Sequence, residues 1–152
     1  MSKVIIMRGV PGSGKSSLAD RVQLNDSSAS SIKTIVSADN FHINEDGEYN
    51  WDPAKIGEAH AQCFRLFNEA LERGDDLIVV DNTNTQLYEL SPYICVATLF
   101  DAEVEIIHTI CPLDTARARG IHEVPFKNIK EMWERTEDLP KHFPKQTVVA
   151  TD

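Results

Sequence analysis

With 152 residues, 15 Lys and Arg against 24 Asp and Glu and a formal net charge of −9, the chain is too acidic to wrap duplex DNA through a continuous basic face. A hydrophobic content of 41% and a charged content of 26% are those of an ordinary globular protein, and the length serves one domain over 1–152 with a single core. No apolar run reaches membrane-spanning length and no leader pattern opens the chain, so a cytoplasmic protein with no membrane partner is expected.

Lys3 to Met7 reads as a first strand, and the glycine-rich turn after it leads into a helix from Lys15 that fades near Asn25. A polar, Ser-rich connection follows to Ser31, then a short strand from Thr34 to Ser37 that delivers Asp39 at its carboxyl end. Phe41 to Tyr49, with Asp46-Gly47 inside it, reads as a loop. Asp52-Pro53 starts a long helix that runs to Arg73 and stops at Gly74, with Ile56, Cys63, Phe67 and Ala70 or Leu71 on one face. His60 falls on that face and is expected as a core-edge histidine rather than a substrate contact.

Leu77 to Val80, ending in Asp81, is a third strand without alternation, as in a parallel strand covered on both faces. Leu87 to Phe100 is mainly helical, with Pro92 either starting its regular part or kinking it. Val104 to Ile110 is a fourth strand, Asp114 to Arg119 and Phe126 to Thr136 are short helices, and Thr147 to Ala150 is a last strand. The alternation predicts a three-layer α/β/α domain around a parallel sheet of about five strands, with right-handed crossovers. Cys63, Cys95 and Cys111 are odd in number and include no C-x-x-C pair; they are expected reduced and buried. His108 and Cys111 have no second ligand pair to complete a zinc site.

The chemistry starts at residues 9–16, Gly-Val-Pro-Gly-Ser-Gly-Lys-Ser, a complete G-x-x-x-x-G-K-[ST] P-loop between a strand and a helix. Gly12 and Gly14 let the backbone curl around a polyphosphate, Lys15 reaches the β- and γ-phosphates, and the Ser16 hydroxyl can ligate Mg²⁺. In a parallel sheet ligands gather beyond the carboxyl ends of the strands. Here those ends carry the P-loop, Asp39-Asn40 and Asp81-Asn82-Thr83-Asn84. Phosphoryl transfer needs a base, a metal and a late cation. Asp39 is the expected general base, Ser16 and Asp81 the metal site, directly or through water, and Arg117 and Arg119 the lid cations in a region about 113–125. Phe41 and Tyr49 are open either to stacking on a terminal base or to packing under the loop, whereas Trp51 is expected to pack.

These stretches, together with Ser37-Ala-Asp-Asn-Phe41, Gly47-Glu-Tyr-Asn-Trp-Asp-Pro53, Glu58-Ala-His60 and Arg119-Gly-Ile-His-Glu-Val-Pro125, resemble the kinase domain of phage-type polynucleotide 5′-kinases. They are more similar still to the P-loop kinase domain of the NEDD4-binding-protein-2-like family. The resemblance spans residues 4 to about 136 and implies transfer of the γ-phosphate of ATP, or another NTP, with Mg²⁺ to a 5′-hydroxyl end of DNA or RNA. It implies that Lys15, Asp39 and Arg119 are catalytic. Gly12, Ser13, Gly14, Lys15, Ser16, Ser17, Arg117 and Arg119 would then serve the nucleotide, with Arg117 matched only loosely. Asp39, Phe41, His42, Asp81, Asn82 and Thr83 would serve the acceptor. One departure stands out: where the phage kinases carry an arginine that helps hold the acceptor's phosphate, this chain has His42. The acidic charge and His42 leave a small-molecule or modified-nucleotide kinase as an alternative. A second alternative is an ATP-binding interaction module that transfers nothing.

Overall fold

Val4, Ile5, Ile6 and Met7 have no polar residue among them because the first strand is covered on both sides. In the computed structural model, which describes residues 2–25, 32–119 and 125–151, this strand, β1 (Lys3–Arg8), is the centre of the sheet. Val4 and Ile6 face one layer of helix, with Ala59, Cys63, Phe67, Leu90 and Tyr93 in the same apolar cluster. Ile5 and Met7 face the other, with Leu18 and Ala19 of α1 (Lys15–Asn25). Period-two alternation therefore distributes one apolar run over two cores, and the result is the expected three-layer α/β/α arrangement.

The sheet has five strands in the order β2-β3-β1-β4-β5, where β2 is Lys33–Val36, β3 Leu77–Asp81, β4 Glu103–Ile110 and β5 Gln146–Ala150. Every pairing is parallel, and β1 is flanked in register by β3 (Ile6 opposite Val80) and β4 (Ile6 opposite Ile106). The chain winds outward from β1 to β2, returns to β3, then crosses to β4 on the far side. The carboxyl ends of β1 and β3 thus lie where the winding changes direction, the crevice in which open α/β sheets bind ligands.

The long helix departs slightly from the expected start. Pro53–Lys55 forms a 3₁₀ turn, capped by Asp52 through the Ala54 N–H at 2.9 Å, before α2 (Ile56–Arg73) begins. Its end is as expected: Gly74 takes φ 76°, and the N–H groups of Gly74 and Asp75 bond back to Leu71 and Ala70. In α3 (Leu87–Leu99) Pro92 sits inside the helix, and the Ser91 hydroxyl bonds the Leu87 carbonyl at 2.7 Å. The short helices α4 (Leu113–Arg119) and α5 (Phe126–Glu134) follow β4. The Ser-rich connection at 26–31 and the lid segment 120–124 lie outside the described residues.

Cys63 is buried, but Cys95 is exposed and Cys111 half-buried, correcting the expectation that all three are interior. Cys95 lies on the solvent side of α3, where an apolar-looking stretch still has an outer face. His60 is likewise exposed: Ala59 and Cys63 take the inward positions of the helix and turn His60 toward the cleft. No described helix is long and apolar enough to cross a membrane.

Candidate active-site cleft

The P-loop binds tightly to the fold before it meets any ligand. Gly12 has φ 83°, and a Cβ there would stand 2.5 Å from the Ala116 carbonyl oxygen, so only glycine lets α4 close on the loop. Gly14 takes φ 93°, with Thr151 beside it at 3.2 Å from such a Cβ. Ser13 is buried with its hydroxyl 2.7 Å from that of Thr109, while its N–H bonds Val10 and its carbonyl accepts from Thr151. Among the expected nucleotide residues it is thus a brace to β4 and β5.

Lys15 and Ser16 open α1 at the floor of a cleft of about 800 Å³. Gly12, Gly14, Lys15, Ser16 and Ser17 line it on one side, with Asp39, His42, Asp81, Asn82 and Thr83 lining it as well. Burial pushes the Lys15 ammonium below its ordinary pKa, and the carboxylates of Asp81 and Asp39 pull it back up. A buried cation held among two carboxylates is ready to exchange them for phosphate oxygens.

The Ser16 hydroxyl donates to Asp81 Oδ2 at 2.8 Å. The other oxygen, Asp81 Oδ1, is buried and has no hydrogen-bond partner among the described residues. An orphaned carboxylate oxygen beside a hydroxyl is a donor set that suits a hard divalent cation. No group of three His, Cys, Asp or Glu side chains is assembled among the described residues. That fits Mg²⁺, which takes one or two protein oxygens and completes its shell from phosphates and water.

Asp39 is held on a 3₁₀ turn, Ala38–His42, whose first residue is anchored by Asn82: the Ala38 N–H donates to Asn82 Oδ1 at 2.9 Å. Asn82, expected to touch the acceptor, therefore also sets the position of the turn that carries Asp39. The Tyr49 phenol hydrogen-bonds to Asp39; burial, the charge of Asp39 and that bond push its pKa up to about 12. The ring of His42 is buried edge-on against Phe41 at 5.6 Å and Tyr49 at 6.0 Å between centroids. Phe41 packs on the main core and lines a hollow next to the cleft, while Tyr49 lines the cleft. Trp51 is 51% exposed and lines the cleft, which corrects its expected packing under the loop.

Arg119 and Arg117 are placed outside the lining of the cleft. Arg119 donates to the Gly12 carbonyl at 2.6 Å and reaches Thr151 at 3.3 Å, lying along the P-loop. Arg117 stacks on Phe126, 4.8 Å from the ring centroid.

Two residues here, Arg8 and Arg135, were not singled out by sequence reasoning. Arg8 is 1% exposed and donates to the carbonyls of Asn84, Thr85 and Glu137 at 3.0, 2.9 and 2.8 Å. Asn84 takes φ 46° and donates to the Met7 carbonyl at 2.8 Å, so Arg8 and Asn84 staple the ends of β1 and β3 together. Arg135, just past α5, lines the cleft as its second cation beside Lys15. The signal for Arg8 was its charge at the end of an unbroken apolar strand; nothing in the local pattern marked Arg135.

A family model described as an AAA domain matches residues 4–135. NEDD4-binding protein 2 of Homo sapiens is 36% identical over 137 residues, which cover 86% of this chain and 7% of that protein. The chain thus spans a small part of the length of the curated relatives it matches. Among solved structures, a chain of the Pnkp1/Rnl/Hen1 RNA repair complex superposes with a TM-score of 0.70 at 19% identity, covering 89% of this chain and 44% of that one. The APS kinase CysC of Mycobacterium tuberculosis, in complex with AMPPNP and APS, superposes with a TM-score of 0.66 at 15% identity, covering 97% and 88%. These likenesses are of fold, the α/β P-loop kinase fold, which implies a nucleotide-binding site at the P-loop.

Proposed function

The chain belongs to the AAA domain family, and from that premise we propose that it transfers the γ-phosphate of ATP to a 5′-hydroxyl end of DNA or RNA. The observation that carries this reading is Asp39 in the same cleft as Lys15, close enough for its charge to act on the ammonium, with Asp81 lining that cleft and acting on the ammonium as well. Asp39 takes the proton of the acceptor hydroxyl, whose oxygen forms the new bond to the γ-phosphorus, and the bond from that phosphorus to the bridging oxygen breaks to release ADP. Lys15 and the P-loop N–H groups stabilise the charge on the phosphates. Mg²⁺ held through Ser16 and Asp81 neutralises the triphosphate when bound. Tyr49 fixes the Asp39 carboxylate through its hydrogen bond.

Arg119 serves as the lid cation by exchanging the Gly12 carbonyl for the transferring phosphoryl group, and Arg135, already in the cleft, is a second source of positive charge. Phe41, His42, Asn82 and Thr83 frame the acceptor, and Arg117 lies at the edge of the nucleotide side.

A small-molecule acceptor is the second reading, favoured by the burial of His42, which offers no exposed cation at that position. A panel of nucleosides, nucleotides and 5′-hydroxyl oligonucleotides with γ-labelled ATP separates the two. Label on the oligonucleotides supports the proposal, label on small acceptors alone supports the second reading, and ATP binding with no transfer to anything leaves a nucleotide-binding interaction module.

A further inference from the structure

Asn82 lines the cleft, yet both ends of its amide are engaged behind it. Its Oδ1 accepts from the Ala38 N–H at 2.9 Å, at the first residue of the 3₁₀ turn that carries Asp39, and its Nδ2 donates to Cys63 Sγ at 3.4 Å. With a donor at one end and an acceptor at the other, only one orientation of the amide satisfies both. Asn82 is buried, so an unpaired amide there costs stability.

Cys63 is fully buried on α2, and the same sulfur accepts a second bond, from the Tyr93 hydroxyl of α3 at 3.3 Å. The Tyr93 ring is itself held edge-on against Phe67 and Phe64, with centroids 4.9 and 5.3 Å away. Burial pushes the Cys63 thiol up in pKa; the bonds from Tyr93 and Asn82 pull it down, and the charges of Asp81 and Asp39 push it up again. The group therefore stays an un-ionised thiol at neutral pH and feels both carboxylates of the cleft. One sulfur thus joins α2 and α3 to the residue that follows β3.

The remaining bonds at the start of the Asp39 turn are local. The Asp39 N–H donates to Ser37 Oγ at 3.2 Å and the Asn40 N–H to the Ser37 carbonyl at 3.3 Å. The bond from Ala38 to Asn82 reaches across 44 positions, and Asp39 is the next residue along the chain.

Resting on the kinase reading above, we propose that Cys63 is a positioning residue for phosphoryl transfer: its sulfur fixes the Asn82 amide, and the amide holds the turn that presents Asp39 to the acceptor hydroxyl. Without the sulfur, Asn82 turns its amide into the cleft and releases the Ala38 N–H. Lys15 and Ser16 belong to α1 and keep their places, so the loss falls on the transfer step and not on ATP binding.

The test is amide hydrogen exchange in the full chain, read residue by residue by NMR, beside transfer kinetics of Cys63→Ala and Cys63→Ser. In Cys63→Ala the Ala38 N–H should exchange about ten-fold faster while the sheet amides of Ile6 and Val80 do not, and kcat should fall about ten-fold with KM for ATP unchanged. Cys63→Ser should recover most of both, because a helical serine can donate to the carbonyl four residues back and still accept from Asn82. In an Asn82→Ala background, Cys63→Ala should add little to either effect. Unchanged exchange at Ala38 in Cys63→Ala overturns the proposal, as does an unchanged kcat where the wild type transfers phosphate. Equal acceleration at Ala38, Ile6 and Val80 also overturns it, as does a Cys63→Ser variant no better than Cys63→Ala, since each leaves packing as the whole effect. If the exchange pattern holds while no 5′-hydroxyl is phosphorylated, the anchor stands and the kinase reading falls. If 5′-hydroxyl ends are phosphorylated while Ala38 exchange ignores Cys63, the reverse is true.

Discussion

Ser16 and Asp81, 65 positions apart in sequence, are joined by a hydrogen bond of 2.8 Å that ties the first turn of α1 to the carboxyl end of β3, and it leaves Asp81 Oδ1 buried without a partner. An unsatisfied buried carboxylate oxygen costs stability unless something positive comes to it. Removing the charge with Asp81→Asn should therefore raise the Mg²⁺ concentration for half-maximal transfer by about ten-fold or more. Its thermal stability without Mg²⁺ should hold or rise. Titration of initial rate against Mg²⁺ checks the first expectation and a melting curve the second.

Tyr49 acts through Asp39, so it is a positioning residue. Tyr49→Phe keeps the ring against His42 and deletes only the bond to the carboxylate. A hydrogen bond to a charged group is worth about 1.5–3 kcal/mol. The variant should lose about ten-fold in kcat with its KM for ATP unchanged, a split that a merely structural role for the phenol would not produce. Steady-state kinetics at saturating acceptor measures it.

Burial, and then the charge of Arg8, hold His108 down at a pKa of about 4. Unfolded histidine titrates near 6.5. Between those values the unfolded chain binds the proton and the folded chain does not, so the contribution of this group to stability is full above pH 6.5 and is lost as pH falls toward 4. Urea midpoints measured across that window should decline, and His108→Gln should flatten the decline.

Arg8 donates to three main-chain carbonyls from a position that is almost wholly buried. Arg8→Met preserves much of the bulk and orphans those acceptors, for an expected loss of about 3 kcal/mol in chemical denaturation. Because two of the carbonyls belong to Asn84 and Thr85, just after Asp81-Asn82-Thr83, nucleotide affinity should fall with stability.

The sheet was legible because its strands are buried on both faces and carry unbroken apolar runs, as in Leu77 to Val80, and because Gly74 and Asp52-Pro53 are strong local stop and start signals. The donor side was equally plain, since a P-loop is a contiguous motif. What escaped depends on contacts between distant segments. The bond from Tyr49 to Asp39 joins a loop to a turn, and the Arg8 bonds cross more than seventy positions. Trp51 and His60 faced the cleft instead of the interior because the cavity beside Asp39 leaves exposed aromatic surface that a helical or loop pattern cannot distinguish from core.

The most direct measurement of the central claim is transfer of γ-labelled phosphate from ATP to a 5′-hydroxyl oligonucleotide by the wild-type chain and by Asp39→Asn, with ATP affinity followed in parallel. The account predicts label on the wild-type product and a loss of at least about a hundred-fold in Asp39→Asn, with ATP bound equally by both. Undiminished transfer by Asp39→Asn, or none by the wild type while ATP is bound, would contradict it.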